Sequence, residues 1–164
     1  MPVVALPLDP YAWDERKRDA LAICVFEDER PLRGAAGLAD WRLNGRLSRL
    51  LKAKRIQGTA GETLMLPTNG RLGPTRLFWF GLGPSKGYSE ARLRADLQWL
   101  GDVLLAAGIA SCALQLPGRA LGQIGARRAV EMALDTASLR RLDVALIDDA
   151  IAHKDVADVL RHAE

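Results

Sequence analysis

Residues 76–87 read Arg-Leu-Phe-Trp-Phe-Gly-Leu-Gly-Pro-Ser-Lys-Gly, and this stretch decides the fold. Its aromatic and aliphatic beginning predicts a buried strand over Arg76–Phe80. Glycines then open a loop, Ser89 is a good helix cap, and leucines recur at helical spacing from Leu93 to Leu104. A strand that enters a helix through a glycine-rich loop is typical of α/β sheets, where a ligand or an interface often lies at the carboxyl end of the strand.

Strands and helices alternate over most of the chain. Six strands are predicted, at Val3–Leu8, Ala20–Phe26, Glu62–Leu66, Arg76–Phe80, Ser111–Leu116 and Leu142–Ile147. Four helices are predicted, at Asp40–Lys52 (with Asn44-Gly45 as an alternative start), Ser89–Gly108, Ile124–Ala137 and from Asp148 or Asp149 onward. This order predicts an α/β layered fold with a mixed, largely parallel central sheet, and the length of 164 residues predicts a single domain over residues 1–164.

The composition is that of an ordinary globular protein. Hydrophobic residues make up 49% and charged residues 26%, with a net charge of +3, which is well short of a nucleic-acid-binding tail. Cys24 and Cys112 both lie in apolar runs and are expected to be buried, reduced thiols. The amino terminus lacks the basic segment of a signal peptide and no apolar run has the length of a membrane helix, so we expect a cytoplasmic protein without a membrane partner.

Few residues offer catalytic or metal chemistry. Gly83–Gly87 matches the G-x-S-x-G pattern of serine hydrolases, but its helix is predicted to start only at Ser89 and Pro84 stiffens the turn, so a flexible loop is favoured. His153 and His162 are nine residues apart, which is not the spacing of two metal ligands on one helix face, and both are expected on the surface. The sequence therefore predicts no catalytic residue, no metal and no cofactor.

A basic run follows Asp40. Six cations occur before the next acid, Glu62, and three of them, Arg42, Arg46 and Arg49, are predicted to share one face of the helix that ends at Lys52. A solvated helix surface is the favoured interpretation of this pattern. The alternative is a DNA or phosphate contact through Arg42, Arg46 and Arg49, although nucleic acid is not the expected partner.

Four segments, taken in order, resemble the amino-terminal domain of the leucyl (cytosol) aminopeptidases. They are Asp19–Asp28, Gly45–Leu51, Gly58–Leu64 and Arg76–Gly83, and the resemblance extends roughly from Asp19 to Ala137. It implies a three-layer α/β/α macro-like fold. In the full-length enzymes this domain precedes a two-metal peptidase domain that holds all metal ligands and catalytic residues, and it helps to build the hexamer.

The resemblance implies a function without catalysis. The Asn-Thr-Asp-Ala-Glu-Gly-Arg signature of the catalytic domain does not occur, and no converging set of carboxylates is evident for a two-metal site. The leading hypothesis is a stand-alone, non-catalytic relative of the amino-terminal domain that acts in binding or oligomer assembly. Its expected partners are further copies of itself or a full-length aminopeptidase.

The macro-like resemblance also implies a second hypothesis, a nucleotide or ADP-ribose binding module. Glycine-rich loops before helices 40–52 and 124–137 would hold phosphate through free backbone N–H groups. The residues assigned to this ligand site are Gly34, Gly37, Gly118, Arg119, Gly122 and Gly125. Against this hypothesis, the acids of Phe26-Glu27-Asp28-Glu29 would repel a diphosphate, whereas Arg119 could pair with it.

Overall fold

Six strands form one mixed sheet in a computed structural model that describes residues 3–163. Met1, Pro2 and Glu164, the ends of the predicted domain span, lie outside the described residues. The strands are β1 (Val4–Pro7), β2 (Ala20–Val25), β3 (Thr63–Pro67), β4 (Arg76–Gly81), β5 (Ser111–Leu114) and β6 (Asp143–Asp148). Their order across the sheet is β1-β6-β5-β2-β4-β3, and β3 alone among them runs antiparallel to its neighbour. All six predicted strands are confirmed, with ends shifted by one or two residues.

Helices cover both faces of the sheet. They are α1 (Pro10–Asp14), α2 (Gly34–Arg42), α3 (Arg46–Lys52), α4 (Glu90–Ala106), α5 (Ala126–Leu134) and α6 (Ala150–His162), with a 3₁₀ turn at Leu139–Arg141. The first three pack against one face and the last three against the other, in two separate apolar clusters. The predicted three-layer α/β/α macro-like architecture is therefore confirmed.

Strand β2 lies at the centre of both clusters. It pairs with β4 along one side and with β5 along the other. Ala20 and Ala22 face the layer of α4 to α6, while Leu21, Ile23 and Val25 face the layer of α1 to α3. A parallel strand buried on both faces carries apolar side chains throughout, and the run Ala-Leu-Ala-Ile-Cys-Val is typical of this position.

The first predicted long helix, Asp40–Lys52, is wrong. Two helices stand in its place, and α2 starts at Gly34 inside the segment that was predicted to be a loop. Asn44 (φ 55°) and Gly45 (φ 76°) adopt left-handed backbone angles, which end α2 and make Gly45 the residue before α3. The alternative start at Asn44-Gly45 was the correct one, because only glycine and, less often, asparagine adopt this conformation at low cost.

Asp40 holds the two short helices together. Its side chain is buried, and one carboxylate oxygen, Oδ1, accepts hydrogen bonds from the backbone N–H groups of Leu47 (2.8 Å) and Ser48 (3.1 Å). The other oxygen accepts the hydroxyl of Ser48. A carboxylate at the end of α2 thus satisfies the free donors at the start of α3, seven and eight residues further along the chain.

Across residues 3–163, no helix is long and apolar enough to cross a membrane.

Replacing Asp40 with alanine should lower the free energy of unfolding by about 3 kcal/mol, because it removes three hydrogen bonds to a buried carboxylate. Urea denaturation would measure this loss. The matched control is Ser89→Ala, which removes an exposed cap that bonds the backbone N–H of Arg92 and should cost about 1 kcal/mol. Equal losses in the two variants would contradict the role given to Asp40.

Candidate functional site

The carboxyl ends of five parallel strands meet at one edge of the sheet. Strands β1, β6, β5, β2 and β4 are neighbours there, and each continues into a loop or directly into a helix. In sheets of this kind, ligands bind at such an edge. The predicted ligand residues belong to two of these connections, the one after β2 that leads to α2 and the one after β5 that leads to α5.

Gln115 joins these two connections. It follows β5 directly, and its side-chain oxygen Oε1 accepts a hydrogen bond from the backbone N–H of Ala35 at 2.8 Å. Gln115 is buried, and a methyl group built on Gly34 would lie 2.3 Å from this oxygen. The N–H group of Ala35, which a phosphate at the start of α2 would use, is therefore already bonded to Gln115. Residue 34 has to be a glycine because a side chain there would collide with the Gln115 amide.

Arg119 forms a buried ion pair with Asp148 at the end of β6. Its Nε lies 2.8 Å from Oδ2 of Asp148 and its Nη2 lies 3.2 Å from Oδ1. The third nitrogen, Nη1, donates to the backbone oxygen of Ile124 at 2.7 Å. The side chains of Arg119 and Asp148 are only 10% and 5% exposed. Arg119 is thus engaged within the protein and fastens the 115–125 loop to the sheet.

The other predicted ligand glycines have different surroundings. Gly118 (φ 82°) lies against the ring of Tyr88, Gly37 lies inside α2 against the backbone oxygen of Leu32, and Gly122 and Gly125 have open space around their Cα atoms. The structure therefore brings Gly34, Gly118 and Arg119 to the same edge of the sheet. It places Gly122 and Gly125 at the outer side of the loop before α5.

The acidic stretch after β2 is also bonded within the protein. Glu29 is buried, and its carboxylate accepts the backbone N–H groups of Phe26 and Arg33. Burial raises the pKa of Glu29 above its ordinary value. The carboxylate of Asp28 accepts both the hydroxyl and the backbone N–H of Ser85, and these bonds lower its pKa. Ser85, the serine of the G-x-S-x-G pattern, therefore has an aspartate as its partner.

A second group of polar side chains lies on the loop after β4 and on the first turns of α4. The Tyr88 hydroxyl donates to Oδ2 of Asp96 at 2.8 Å, and the guanidinium carbon of Arg92 lies 4.6 Å from the centre of the Tyr88 ring. Burial is the main cause that raises the pKa of both Tyr88 and Asp96. These groups pack around the same loop without leaving a free catalytic acid or base.

The basic residues assigned to a DNA contact do not form one face of one helix. Arg42 ends α2, and its guanidinium pairs with Asp14 and donates to the backbone oxygen of Arg71. Arg46 and Arg49 lie on α3 and are exposed, and Nη1 of Arg49 donates to the backbone oxygen of Asn44. The predicted common face of the three arginines is wrong, because the turn at Asn44-Gly45 separates Arg42 from the other two. The DNA contact itself stays a prediction.

Two exposed aromatic residues neighbour Arg42, Tyr11 by contact and Trp41 in sequence. Tyr11 on α1 is 69% exposed and Trp41 on α2 is 62% exposed. The guanidinium carbon of Arg42 lies 5.1 Å from the centre of the Tyr11 ring, a cation–π arrangement. We call Tyr11, Trp41 and Arg42 the aromatic surface.

Other features of the described chain do not form a site with these residues. Within residues 3–163, no group of three or more His, Cys, Asp or Glu side chains could hold a metal ion. His162 is exposed as predicted, whereas His153 is half-buried. A concave, mainly apolar pocket of about 220 Å³ lies away from the carboxyl edge, lined by residues that include Val3, Leu134, Leu139 and Val144.

Sequence reasoning missed the two residues that fill the carboxyl edge. Gln115 was read as part of a strand, and Asp148 as a helix cap. Two features of the sequence could have pointed to these residues. Gln115 is the one side-chain amide in the run Ser111–Leu116, and Asp148 directly follows the apolar strand that ends at Ile147. Neither signal names a partner, because Gln115 bonds a residue 80 positions away.

Comparisons with known proteins agree with this architecture. The model of the cytosol aminopeptidase family, N-terminal domain, matches residues 22–138. A probable cytosol aminopeptidase of Sulfurihydrogenibium sp. is 33% identical over 81 residues, which are 49% of this chain and 16% of the relative. That of Burkholderia multivorans is 27% identical over 140 residues, which are 84% of this chain and 28% of the relative. The chain thus spans less than a third of the length of these relatives.

Solved structures share the fold. A mutant of tomato leucine aminopeptidase superimposes with a TM-score of 0.62 at 16% identity, covering 97% of this chain and 35% of that one. The macrodomain of Trypanosoma brucei in complex with ADP-ribose gives a TM-score of 0.70 at 14% identity, covering 95% of this chain and 67% of that one. The family model covers more than half of the chain, and the chain therefore belongs to the cytosol aminopeptidase family, whose amino-terminal, macro-like domain it matches.

Proposed function

We propose that this chain is a non-catalytic binding and assembly domain whose partner is another subunit of the cytosol aminopeptidase family. The observation that carries the proposal is the filled carboxyl edge. There, the Gln115 amide occupies the start of α2 and the Arg119–Asp148 pair fastens the neighbouring loop. Because the Ala35 N–H group and the Arg119 guanidinium are already bonded within the protein, this edge favours a scaffold over a pocket that awaits a ligand.

The absence of catalysis is supported by the extent of the family match. The match covers the amino-terminal domain, over residues 22–138. The polar side chains that come together at the carboxyl edge are held in internal hydrogen bonds, as Asp28 is with Ser85 and Tyr88 is with Asp96. A nucleophile that has a carboxylate as its hydrogen-bond partner lacks the neutral base that ordinarily activates a serine.

The aromatic surface supports the assembly role. Tryptophan, tyrosine and arginine are the residue types that contribute most of the binding energy in protein interfaces. Tyr11 and Trp41 expose most of their surface, and Arg42 is held in place by Asp14. Ordered aromatic side chains bury a large area at a small cost in conformational entropy, so this surface is suited to contact another protein.

A self-associating chain should lose its association when Trp41 is replaced. We expect Trp41→Ser to weaken dimer or higher-oligomer formation by at least about tenfold, because an interface tryptophan is worth about 2 kcal/mol or more. Sedimentation velocity over a concentration series would measure this effect. Ile151→Ser is the matched control, since Ile151 is 89% exposed on α6, in the opposite layer.

Assembly with a full-length aminopeptidase is tested by the same experiment after the Burkholderia multivorans aminopeptidase is added. A complex that forms with the wild-type chain and with Ile151→Ser, but weakens with Trp41→Ser, would identify that enzyme as the partner. A chain that stays monomeric and forms no complex would rule out the assembly role.

The purified chain should not hydrolyse leucine-p-nitroanilide in the presence of Mn²⁺ or Zn²⁺, because two-metal hydrolysis needs several carboxylates that converge on one site. Release of p-nitroaniline, followed by absorbance, measures this directly, with the Burkholderia multivorans aminopeptidase as the positive control. Saturable, chelator-sensitive turnover by the chain would overturn the non-catalytic proposal.

ADP-ribose binding is the second candidate function. It is favoured by the fold shared with a macrodomain in complex with ADP-ribose, and its site would comprise Gly34, Gly37, Gly118, Arg119, Gly122 and Gly125. On this alternative, Gln115 and Asp148 would release the Ala35 N–H group and the Arg119 guanidinium to the diphosphate. The cost of breaking these buried bonds would be subtracted from the affinity.

Calorimetric titration with ADP-ribose, with AMP as a control ligand, should give a flat trace for the wild-type chain. If heat is released with micromolar affinity, Gly122→Glu should abolish it, because a carboxylate would enter the proposed diphosphate loop. Gly108→Glu is the matched control, since both glycines have positive φ angles (70° and 78°) and open surroundings. Binding that Gly122→Glu leaves unchanged would show that the loop is not the site.

A further inference from the structure

Arg18 is a buried arginine whose side chain lacks a partner among the described residues. The residue is only 5% exposed, and its Nε and Nη1 atoms are buried without a hydrogen bond. Buried side-chain donors in proteins are nearly always bonded, and an uncompensated buried charge is strongly destabilising. An arginine cannot avoid this cost by losing its proton. Its Nε and Nη1 donors are therefore left for a group that residues 3–163 do not supply.

The backbone around Arg18 is fixed at the amino edge of the sheet, opposite the edge described above. The N–H group of Thr75, just before β4, donates to the backbone oxygen of Arg18 at 3.1 Å. The carboxylate of the next residue, Asp19, accepts the N–H groups of Ala110 (2.8 Å) and Ser111 (3.2 Å) at the start of β5. The backbone at Arg18 is thus held in place, and the side chain that it carries is buried.

Among residues 3–163, no ionisable group forms an ion pair with Arg18. Asp143, at the start of β6, is paired with Arg16. The Cys112 thiol is fully buried, and burial raises its pKa to about 12, so the thiol is neutral at physiological pH. Burial and the charge of Arg16 lower the pKa of Arg18. Asp143 partly offsets this lowering, but its carboxylate is in contact with Arg16, so the Arg18 guanidinium has no carboxylate at ion-pair distance among the described residues.

We propose that Arg18 is the centre of a binding site for a small oxyanion, a carboxylate or a phosphate, at the amino edge of the sheet. A guanidinium presents its N–H groups in a planar fork that matches two oxygens of one such anion. The small exposed fraction of Arg18 admits only a compact group. An anion bound there would place an opposite charge beside the guanidinium and satisfy its buried donors.

This site is independent of the proposed assembly role. It lies at the opposite edge of the sheet from Gln115 and Arg119, and it shares no residue with the aromatic surface. A failure of the association experiment would leave the anion site untouched, and the reverse also holds.

The test is a titration of the ¹⁵N-labelled full chain with sodium acetate and, separately, with inorganic phosphate, each at constant ionic strength against sodium chloride. We expect a saturable shift of the Arg18 Nε–H resonance, which is assigned by its disappearance in Arg18→Met. A shift with acetate alone identifies a carboxylate site, and a shift with phosphate alone identifies a phosphate site. A resonance that does not move with either anion, or moves equally with chloride, overturns the proposal.

Thermal unfolding gives a second readout. The preferred anion should raise the Tm of the wild-type chain, because a ligand that binds only the folded state stabilises it. Arg18→Met should abolish this rise, and Arg18→Lys, which keeps the charge without the fork, should weaken the apparent affinity by at least about tenfold. Arg55→Met, at an exposed arginine, is the matched control and should retain the full rise. An equal rise in Arg18→Met and the wild type would contradict the site.

Discussion

The structure depends on the burial of β2 between two helical layers. This strand has hydrogen-bonded neighbours on both sides and apolar side chains on both faces, so it cannot shift without disrupting both clusters. The polar residues that flank its two ends are therefore held in defined positions. The carboxyl end leads into the segment with Asp28 and Glu29, and the amino end fixes Arg18 and Asp19 against the starts of β4 and β5.

The two edges of the sheet differ in whether their buried charged side chains are paired. At the carboxyl edge, Arg119 and Asp148 neutralise one another and Gln115 satisfies the start of α2. At the amino edge, Arg18 is buried without such a partner among the described residues. A buried ion pair and a buried single charge differ greatly in stability, because desolvation is offset only where an opposite charge lies within contact. This contrast is the basis for proposing a scaffold at one edge and an anion site at the other.

Membership of the family does not assign to this chain the activity of the family's other domains. The chain matches an amino-terminal domain whose fold is shared with macrodomains, and that fold supports different functions according to what the loops at the strand ends contain. Here the loop after β5 contains Gln115 and Arg119, both bonded within the chain. The exposed Tyr11 and Trp41 lie on the helices of one layer, where they are accessible to another protein.

The sequence by itself determined the strands, the layers and the family, because these follow from short-range patterns. An apolar run such as Leu77–Phe80 is buried whichever strands it pairs with. The leucine spacing of α4 likewise predicts one apolar helix face without reference to its packing partner. The break between α2 and α3 was also encoded locally, in Asn44-Gly45, although a continuous helix fitted the leucines equally well. Only the tertiary structure decided which polar groups meet. Gln115 and Ala35, Arg119 and Asp148, and Arg16 and Asp143 are 80, 29 and 127 residues apart. Such pairings depend on the order of strands in the sheet, which no local pattern specifies.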